Sequence, residues 1–366
     1  MQIKSIEDLI RSAKHQDPQM QKDVLDLEKK SNENVNITQN ANWYDAYGVV
    51  NSIKDLSSKN GNIMPRLAGG YEGDGLPKSY PVPYDITNYF LKGKTAWTDS
   101  AVPAVSAQQV SDAKVTLTPT SMILQMNITD EMIDHATDKR IRDYIIGKLS
   151  KAATRTMESM IINGDAETGA SGNVNSDDQA PATTFSTTGG ASDHRILLDH
   201  GIRESAINNS NTLDVSGFDS DDIMSVINKL DPRYVQMRDE LLIVSEPQTY
   251  NSILVDDALK LLANTSRATI DGGAPKPYGV ELLVSDLVPK TEADGKMAGI
   301  TPANNTLGQF IVFHKEAVRH GFGQGVNIEV TRVAGYGYTL TLTLEWGFVV
   351  VDAANTCAAG INVTLI

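Results

Sequence analysis

The chain has 366 residues, of which 40% are hydrophobic and 21% charged, and its formal net charge is −14. That length holds two or three domains and a sizeable core, and no apolar run approaches the ~20 residues that span a bilayer. The single cysteine, Cys357, excludes an internal disulfide and a multi-cysteine metal cluster, and "MQIKSIEDLIRSAKHQDPQMQ" lacks the apolar core and cleavage site of a secretory signal.

Residues 1–40 open with a short amphipathic helix on Ile3, Ile6, Leu9 and Ile10, and a second helical piece carries Val24, Leu25 and Leu27. The polar run "KKSNENVNITQNAN" leads on to Trp43, Tyr44 and Tyr47. This arm is too polar to form a core alone and needs another surface. Residues 61–112 are rich in glycine, proline and aromatics and show no helical pattern. Loops beyond ~15 residues are usually functional or disordered. "YPVPYDITNYF" and "DAKVTLTP" read as the outgoing and returning strands of a long two-stranded arm with its tip near Trp97. In the second strand Val115 and Leu117 alternate with Lys114, Thr116 and Thr118. An isolated hairpin is marginal, so this arm is expected to lie on another subunit. The expected subunit-contact residues are Trp43, Tyr44, Tyr47, Tyr89, Phe90, Trp97, Val102 and Val105.

A long helix is expected over 129–163. Thr129 is its candidate N-cap, Asp130 and Glu131 lie in the first turn, and Asn163-Gly164 is read as a left-handed stop. Four acids fall early and all six basic residues from Lys139 onward, which suits the helix dipole. About 34 residues at ~1.5 Å each make a rod of ~50 Å. A coiled-coil seam through Ile146, Leu149, Ala153, Thr156 and Met160 runs back into Arg142 and Lys139, so too few heptads hold. The row Ile141, Ile145, Leu149, Ala153, Met157 and Ile161 steps by four and drifts around the axis. The helix therefore packs on different neighbours at different heights, as a strut beneath a sheet would.

Residues 165–192 read as a polar linker. Helices are expected at 193–209, 219–230 and 247–263, bounded by Asp219, Ser220, Pro232 and Pro247. Strands are expected at 240–245 and 279–286. The tail is strand-rich: "GQFIVFH", "VNIEVTRV", "GYTLTLTLE", "GFVVVDA" and "INVTLI". Leu340, Leu342 and Leu344 face one side there and Thr339, Thr341 and Thr343 the other. Residues 165–310 hold 22 acidic and 10 basic residues, and so carry −12 of the net −14. Such a step marks a domain with its own environment and argues against a general nucleic-acid binder.

No motif singles out a catalytic centre. "GFGQG" at Gly321–Gly325 lacks G-x-G-x-x-G spacing and a following helix, so it reads as a turn between strands rather than a phosphate loop. His194 and His200 stand six apart, not at metal-binding spacing, and read as solvated helix faces; His314 and His320 are read the same way. Asp165, Glu167, Asp177 and Asp178 lack the periodicity of a calcium loop. No two of the many acids stand out as a glycosidase-like pair. No cofactor and no metal is expected.

The order of parts resembles the major capsid proteins of tailed bacteriophages, whose shell fold is shared with encapsulins and herpesvirus capsids. The resemblance is carried by the arm and extended loop, then by "LTPTSMILQMNITDEMIDHATDKRIRDYIIGKLSKAATRTMESMIINGD". "LLIVSEPQTYNSI", "YGVELLVSDLVP" and "GFVVVDAANTCAAGINVTLI" complete it. Glu158, Gly164 and Asp165 match the family's helix-end pattern, and Gly279, Val284, Ser285 and Pro289 its later strand-and-turn step. The resemblance implies an α+β fold. Its parts would be an N-terminal arm (1–65), an extended β-hairpin loop (66–118), a peripheral domain (119–164 plus 311–366, with a spine helix at 129–163 and a C-terminal sheet), a linker (165–192) and an α/β axial domain (193–310).

In function it implies a non-enzymatic shell protein, assembling in the host bacterial cytoplasm into pentamers and hexamers of an icosahedral virion. That shell would enclose double-stranded DNA without sequence-specific contact, with no membrane. The implied partners are other copies of the chain, a portal and a separate scaffolding protein, with cement proteins left open. An encapsulin-like nanocompartment shell and an enzyme on the α/β middle domain are the alternatives. A few family members weld a loop lysine to a neighbour's asparagine with help from a glutamate. Lys92 and Lys94 with Asn355 and Glu345 are the corresponding residues here, and solvated surface lysines are the favoured reading.

Overall fold

The structure, a computed structural model, describes residues 63–67, 71–72, 78–82, 114–129, 138–169, 172–184, 194–255, 276–333 and 337–365. The expected contact residues Trp43, Tyr44, Tyr47, Tyr89, Phe90, Trp97, Val102 and Val105, and both loop lysines, lie outside them. In chain order the strands are β1 (Tyr71–Glu72), β2 (Lys78–Pro81), β3 (Lys114–Leu117) and β4 (Thr120–Thr129). Helices α1 (Asp138–Asn163) and α2 (Ile202–Asn208) follow, then β5 (Thr212–Asp214), α3 (Ser220–Ile227), β6 (Leu241–Ser245), α4 (Pro247–Val255) and β7 (Glu281–Val284). The chain closes with β8 (Gly308–His314), β9 (Val318–Val333), β10 (Gly337–Val350) and β11 (Cys357–Val363).

The chain divides into two units. The described residues of 123–149 and 326–343 form the smaller, and those of 53–122, 150–325 and 344–366 the larger. In the smaller unit, Leu340 and Leu342 are buried, as the alternation predicts. The opposite face is polar: the Thr339 hydroxyl donates to Asn127 Oδ1 at 2.8 Å and Gln125 Nε2 to Thr341 Oγ1 at 3.4 Å. Cross-strand pairs of this kind hold a two-sided sheet together.

The larger unit is built on a mixed sheet of order β5-β11-β8-β6-β7. Every residue of β6 and of β8 is buried, the near-continuous apolar pattern of strands covered on both faces. β6 runs parallel to β7 and antiparallel to β8, pairing Ile243 with Val312 and Leu242 with Phe313. Leu241, Ile243, Phe310 and Val312 join Ile223, Val226 and Ile227 of α3 in one core. Asp219 starts α3 through a capping box: its carboxylate accepts the Asp221 N–H, and Asp222 Oδ2 accepts the Asp219 N–H at 2.8 Å. Asp219→Ala is expected to cost about 1 kcal/mol, read as a lower urea midpoint at unchanged slope.

The second sheet has order β1-β9-β10-β4. β2 and β3 pair antiparallel, with Lys78 opposite Leu117 and Pro81 opposite Lys114. Tyr80, Pro81 and Lys114–Leu117 fall within the two expected arm strands, and residues 83–113 between them lie outside the described residues.

Several expectations are corrected. Thr129 ends β4, where Met122, Leu124 and Met126 alternate with the more exposed Ser121, Ile123, Gln125 and Asn127, and residues 130–137 of the expected helix lie outside the described residues. That period of two belongs to a strand, and the described helix begins at Asp138. Gly321–Gly325 lies inside β9 and is no turn. A Cβ on Gly323 would stand 2.4 Å from Glu345 Oε2, so the glycine makes room for a neighbouring side chain. Gly347 likewise does not divide β10. His314 and His320 are not solvated: they are 1% and 7% exposed, because the strands that carry them are core strands.

Candidate functional site

A buried polar network lies where α1 ends and the chain turns toward α2. The helix stop is not left-handed, since Gly164 is absent from the positive-φ glycines. It is a close approach. Its N–H donates to Met160 O at 2.7 Å, and a Cβ there would stand 2.6 Å from Asp199 O. Gly201 faces it, its N–H donating to Gly164 O at 2.8 Å. A Cβ on Gly201 would meet Ile161 O at 2.7 Å. The two glycines let the helix end and the start of α2 touch backbone to backbone.

The segment after α1 is not a solvated linker. Asp165, Asn173, Val174 and Ser176 are each 0% exposed and Asn175 is 3% exposed. Asp165 accepts the Glu167 N–H at 2.9 Å on one oxygen and the Val174 N–H at 2.7 Å on the other. Asn173 Nδ2 bridges the carbonyls of Asp165 and Glu167. At the centre is Arg203 of α2, fully buried. Its Nη1 donates to Asn163 Oδ1 and Asn175 Oδ1, both at 2.8 Å, and its Nη2 to the Val174 carbonyl. Burial pushes the guanidinium down to about 9, opposed by the charge of Asp165.

His200 does not stand alone in solvent. Its Nδ1 lies 3.3 Å from Glu204 Oε1, and the hydrogen bond to Glu204 raises its pKa. Desolvation pushes Asp199 up to about 6 and also raises Asp165. His194 caps a turn, its Nδ1 accepting the Ile196 N–H at 3.3 Å. The remaining acids brace loops: Asp177 pairs with Lys296 at 3.0 Å, and Asp178 accepts the N–H groups of Gly299 and Ile300. Asn355 Nδ2 donates to Asp352 Oδ1 at 2.7 Å.

A second device ties a distant segment to α1. Glu158, 6% exposed, accepts the N–H of Ile63 at 2.7 Å and of Met64 at 3.1 Å on one oxygen. These donors open the turn Met64–Arg66, where a carboxylate meets unsatisfied N–H groups. Further along, Ser285 is buried and its Oγ accepts the Leu287 N–H at 3.3 Å, while the Pro289 carbonyl accepts Gln309 Nε2 at 2.8 Å. Sequence reasoning placed Glu158, Gly164, Asp165, Ser285 and Pro289 through resemblance. It missed Arg203, for which "GIRES" carries no motif.

No protein-family model matches the chain, and no curated protein matches it. Among solved structures it is similar to the satellite phage P4 procapsid including size determination (Sid) protein. That match has 11% identity and a TM-score of 0.52, covering 86% of this chain and 91% of the other. Gordonia phage Cozz matches at 12% identity and TM-score 0.49, over 83% and 87% of the two chains. Microbacterium phage Oxtober96 matches at 11% and 0.48, over 82% and 90%. The P4 procapsid likeness establishes the fold: the chain has the α+β fold of phage capsids.

Proposed function

We propose that the chain is the major capsid protein of a tailed phage, building pentamers and hexamers of an icosahedral shell around double-stranded DNA. The observation that carries this reading is the likeness to the P4 procapsid chain over 86% of this chain and 91% of that one. Such two-sided coverage involves the whole architecture rather than one common motif. The proposal assigns no catalytic step. Its partners are further copies of the chain, a portal and a separate scaffolding protein, and its location is the virion, after assembly in the host cytoplasm. No described helix is long and apolar enough to cross a membrane.

Two features support it. The segment between the paired strands β2 and β3 carries Tyr89, Phe90 and Trp97, aromatic side chains whose burial on a neighbouring copy would contribute ~25 cal/mol per Å². The buried polar network beyond α1 ties the end of that helix to the start of α2. In this reading 1–65 and 66–118 are the reaching segments, 119–164 with 311–366 the peripheral domain, and 193–310 the axial domain.

The test is assembly. Purified chain, with and without its scaffold, is expected to form rings or closed shells by negative-stain microscopy. Deleting residues 88–104 is expected to leave a folded body that cannot close them. A small soluble oligomer from the intact chain, or normal particles from the deletion, would count against the reading.

A further inference from the structure

We propose that Asp165, His200 and Glu204 form a binding site for a zinc-type divalent cation that ties the end of α1 to α2. One donor atom from each residue lies within 4.8 Å of the others. The His200–Glu204 edge is 3.3 Å. A tetrahedral ion with bonds of ~2.0–2.1 Å has donor–donor edges of about 3.3 Å. That edge is therefore already at coordination length, and a shift on the order of 1 Å brings in Asp165.

The donors are prepared for this. Both hydrogen bonds on the Asp165 carboxylate come from backbone N–H groups, which fix its plane and leave a lone pair on each oxygen. Glu204 Oε1 is held by Asn208 Nδ2 at 2.7 Å. Outer hydrogen bonds of this kind orient metal ligands. The His200 side chain is 59% exposed, while that of Glu204 is 10% exposed. The imidazole can swing onto an ion, and water can take the fourth position.

Charge points the same way. Asp165, Asp199 and Glu204 bring three carboxylates to this corner, against the guanidinium of Arg203. Arg203 spends its Nη atoms on Asn163, Asn175 and Val174, and so offsets charge without occupying the donors. A divalent ion with a neutral imidazole closes the balance. The donor set selects the class of ion: calcium and magnesium take six or more oxygens, whereas one imidazole with two carboxylates suits zinc and its neighbours. His200 and Glu204 stand four residues apart, and Asp165 is brought near them where Gly164 and Gly201 meet backbone to backbone.

The experiment uses untagged full-length chain stripped with chelator. Calorimetric titration with Zn²⁺ is expected to give one equivalent per chain and a higher Tm. His200→Ala, at an exposed position that does not carry the fold, is expected to weaken binding at least tenfold and abolish the Tm shift. His194→Ala is expected to change neither. Co²⁺ is expected to give the visible absorption of a four-coordinate site in the parent and not in the His200 variant. Absence of stoichiometric Zn²⁺ binding, unchanged binding in His200→Ala, or equal loss in His194→Ala overturns the proposal. So does Ca²⁺ or Mg²⁺ binding that ignores His200. None of these readouts depends on shell assembly.

Discussion

Arg203→Met is expected to destabilise the larger unit by about 4 kcal/mol or more, the largest single effect in the described chain. The guanidinium is 0% exposed and feeds three acceptors: Asn163 Oδ1, Asn175 Oδ1 and the Val174 carbonyl. Methionine fills much of the volume and feeds none of them. The two stranded amide oxygens each cost about 1–3 kcal/mol, the Val174 carbonyl keeps the Met297 N–H at 3.0 Å, and the charges of Asp165 and Arg203 no longer offset each other. The loss also spreads. Asn163 donates to Leu287 O at 2.8 Å, and Asn175 Nδ2 donates to Asn163 O at 2.7 Å. The helix end, the loop and the turn after β7 therefore loosen together. For a unit of this size the Tm should fall by roughly 10 °C. Arg203→Lys keeps the charge but not the fork, so an intermediate loss is expected. Equal stability of the parent and Arg203→Met in a urea titration would show that the network is incidental.

That network marks the boundary of what the sequence makes legible. The run "GQFIVFH" predicts a fully buried strand, and β8 spans those residues with all of them buried. Leu340, Leu342 and Leu344 alternate as expected, Asp219 caps α3, and Pro247 opens α4. These are local rules: side-chain period, cap chemistry and ring geometry act within a few residues. Failures occur where distant chain decides. "DAETGASGNVNSDDQ" is polar in composition, yet its asparagines are buried because Arg203, some 28 residues beyond Asn175, arrives to be bonded. Glycine usually punctuates a strand. Gly347 does not, because it lies against Thr118, where a Cβ would stand 2.7 Å from the backbone oxygen.

The roles of Glu158, Gly164 and Asp165 show a third case. Their pattern was visible only as a resemblance, since nothing local says why a helix should carry a buried glutamate about one and a half turns before its end. The structure supplies the reason: the N–H groups of Ile63 and Met64, 95 and 94 residues away in sequence, both donate to it. Histidine burial follows the same logic. His314 and His320 are polar by type, but His314 packs on Tyr234 with ring centres 5.0 Å apart, and His320 lies 6.5 Å from Trp346.

His320 should make stability depend steeply on pH between about 6.5 and 4. The ring is 7% exposed, and burial pushes its pKa down from 6.5 to about 4. Among the described residues, neither its Nδ1 nor the neighbouring Trp346 Nε1 has a hydrogen-bond partner. Nothing there favours the imidazolium. In the unfolded chain the ring takes a proton near pH 6.5; in the native chain it resists until about pH 4. Over that window the unfolded state binds more protons, so stability falls as pH falls. At ~1.36 kcal/mol per unit, a gap of about 2.5 units amounts to roughly 3 kcal/mol of stability, present in full above pH 7 and lost by about pH 4. His320→Phe keeps an aromatic ring beside Trp346 and cannot titrate. Its stability at pH 7 should be close to the parent's, and the two should diverge on acidification, the parent losing about 3 kcal/mol more by pH 4. Carboxylates common to both proteins cancel in that difference. Urea unfolding of both at pH 7, 5.5 and 4.5 measures it, and parallel pH curves would mean that the ring is protonated in the fold after all.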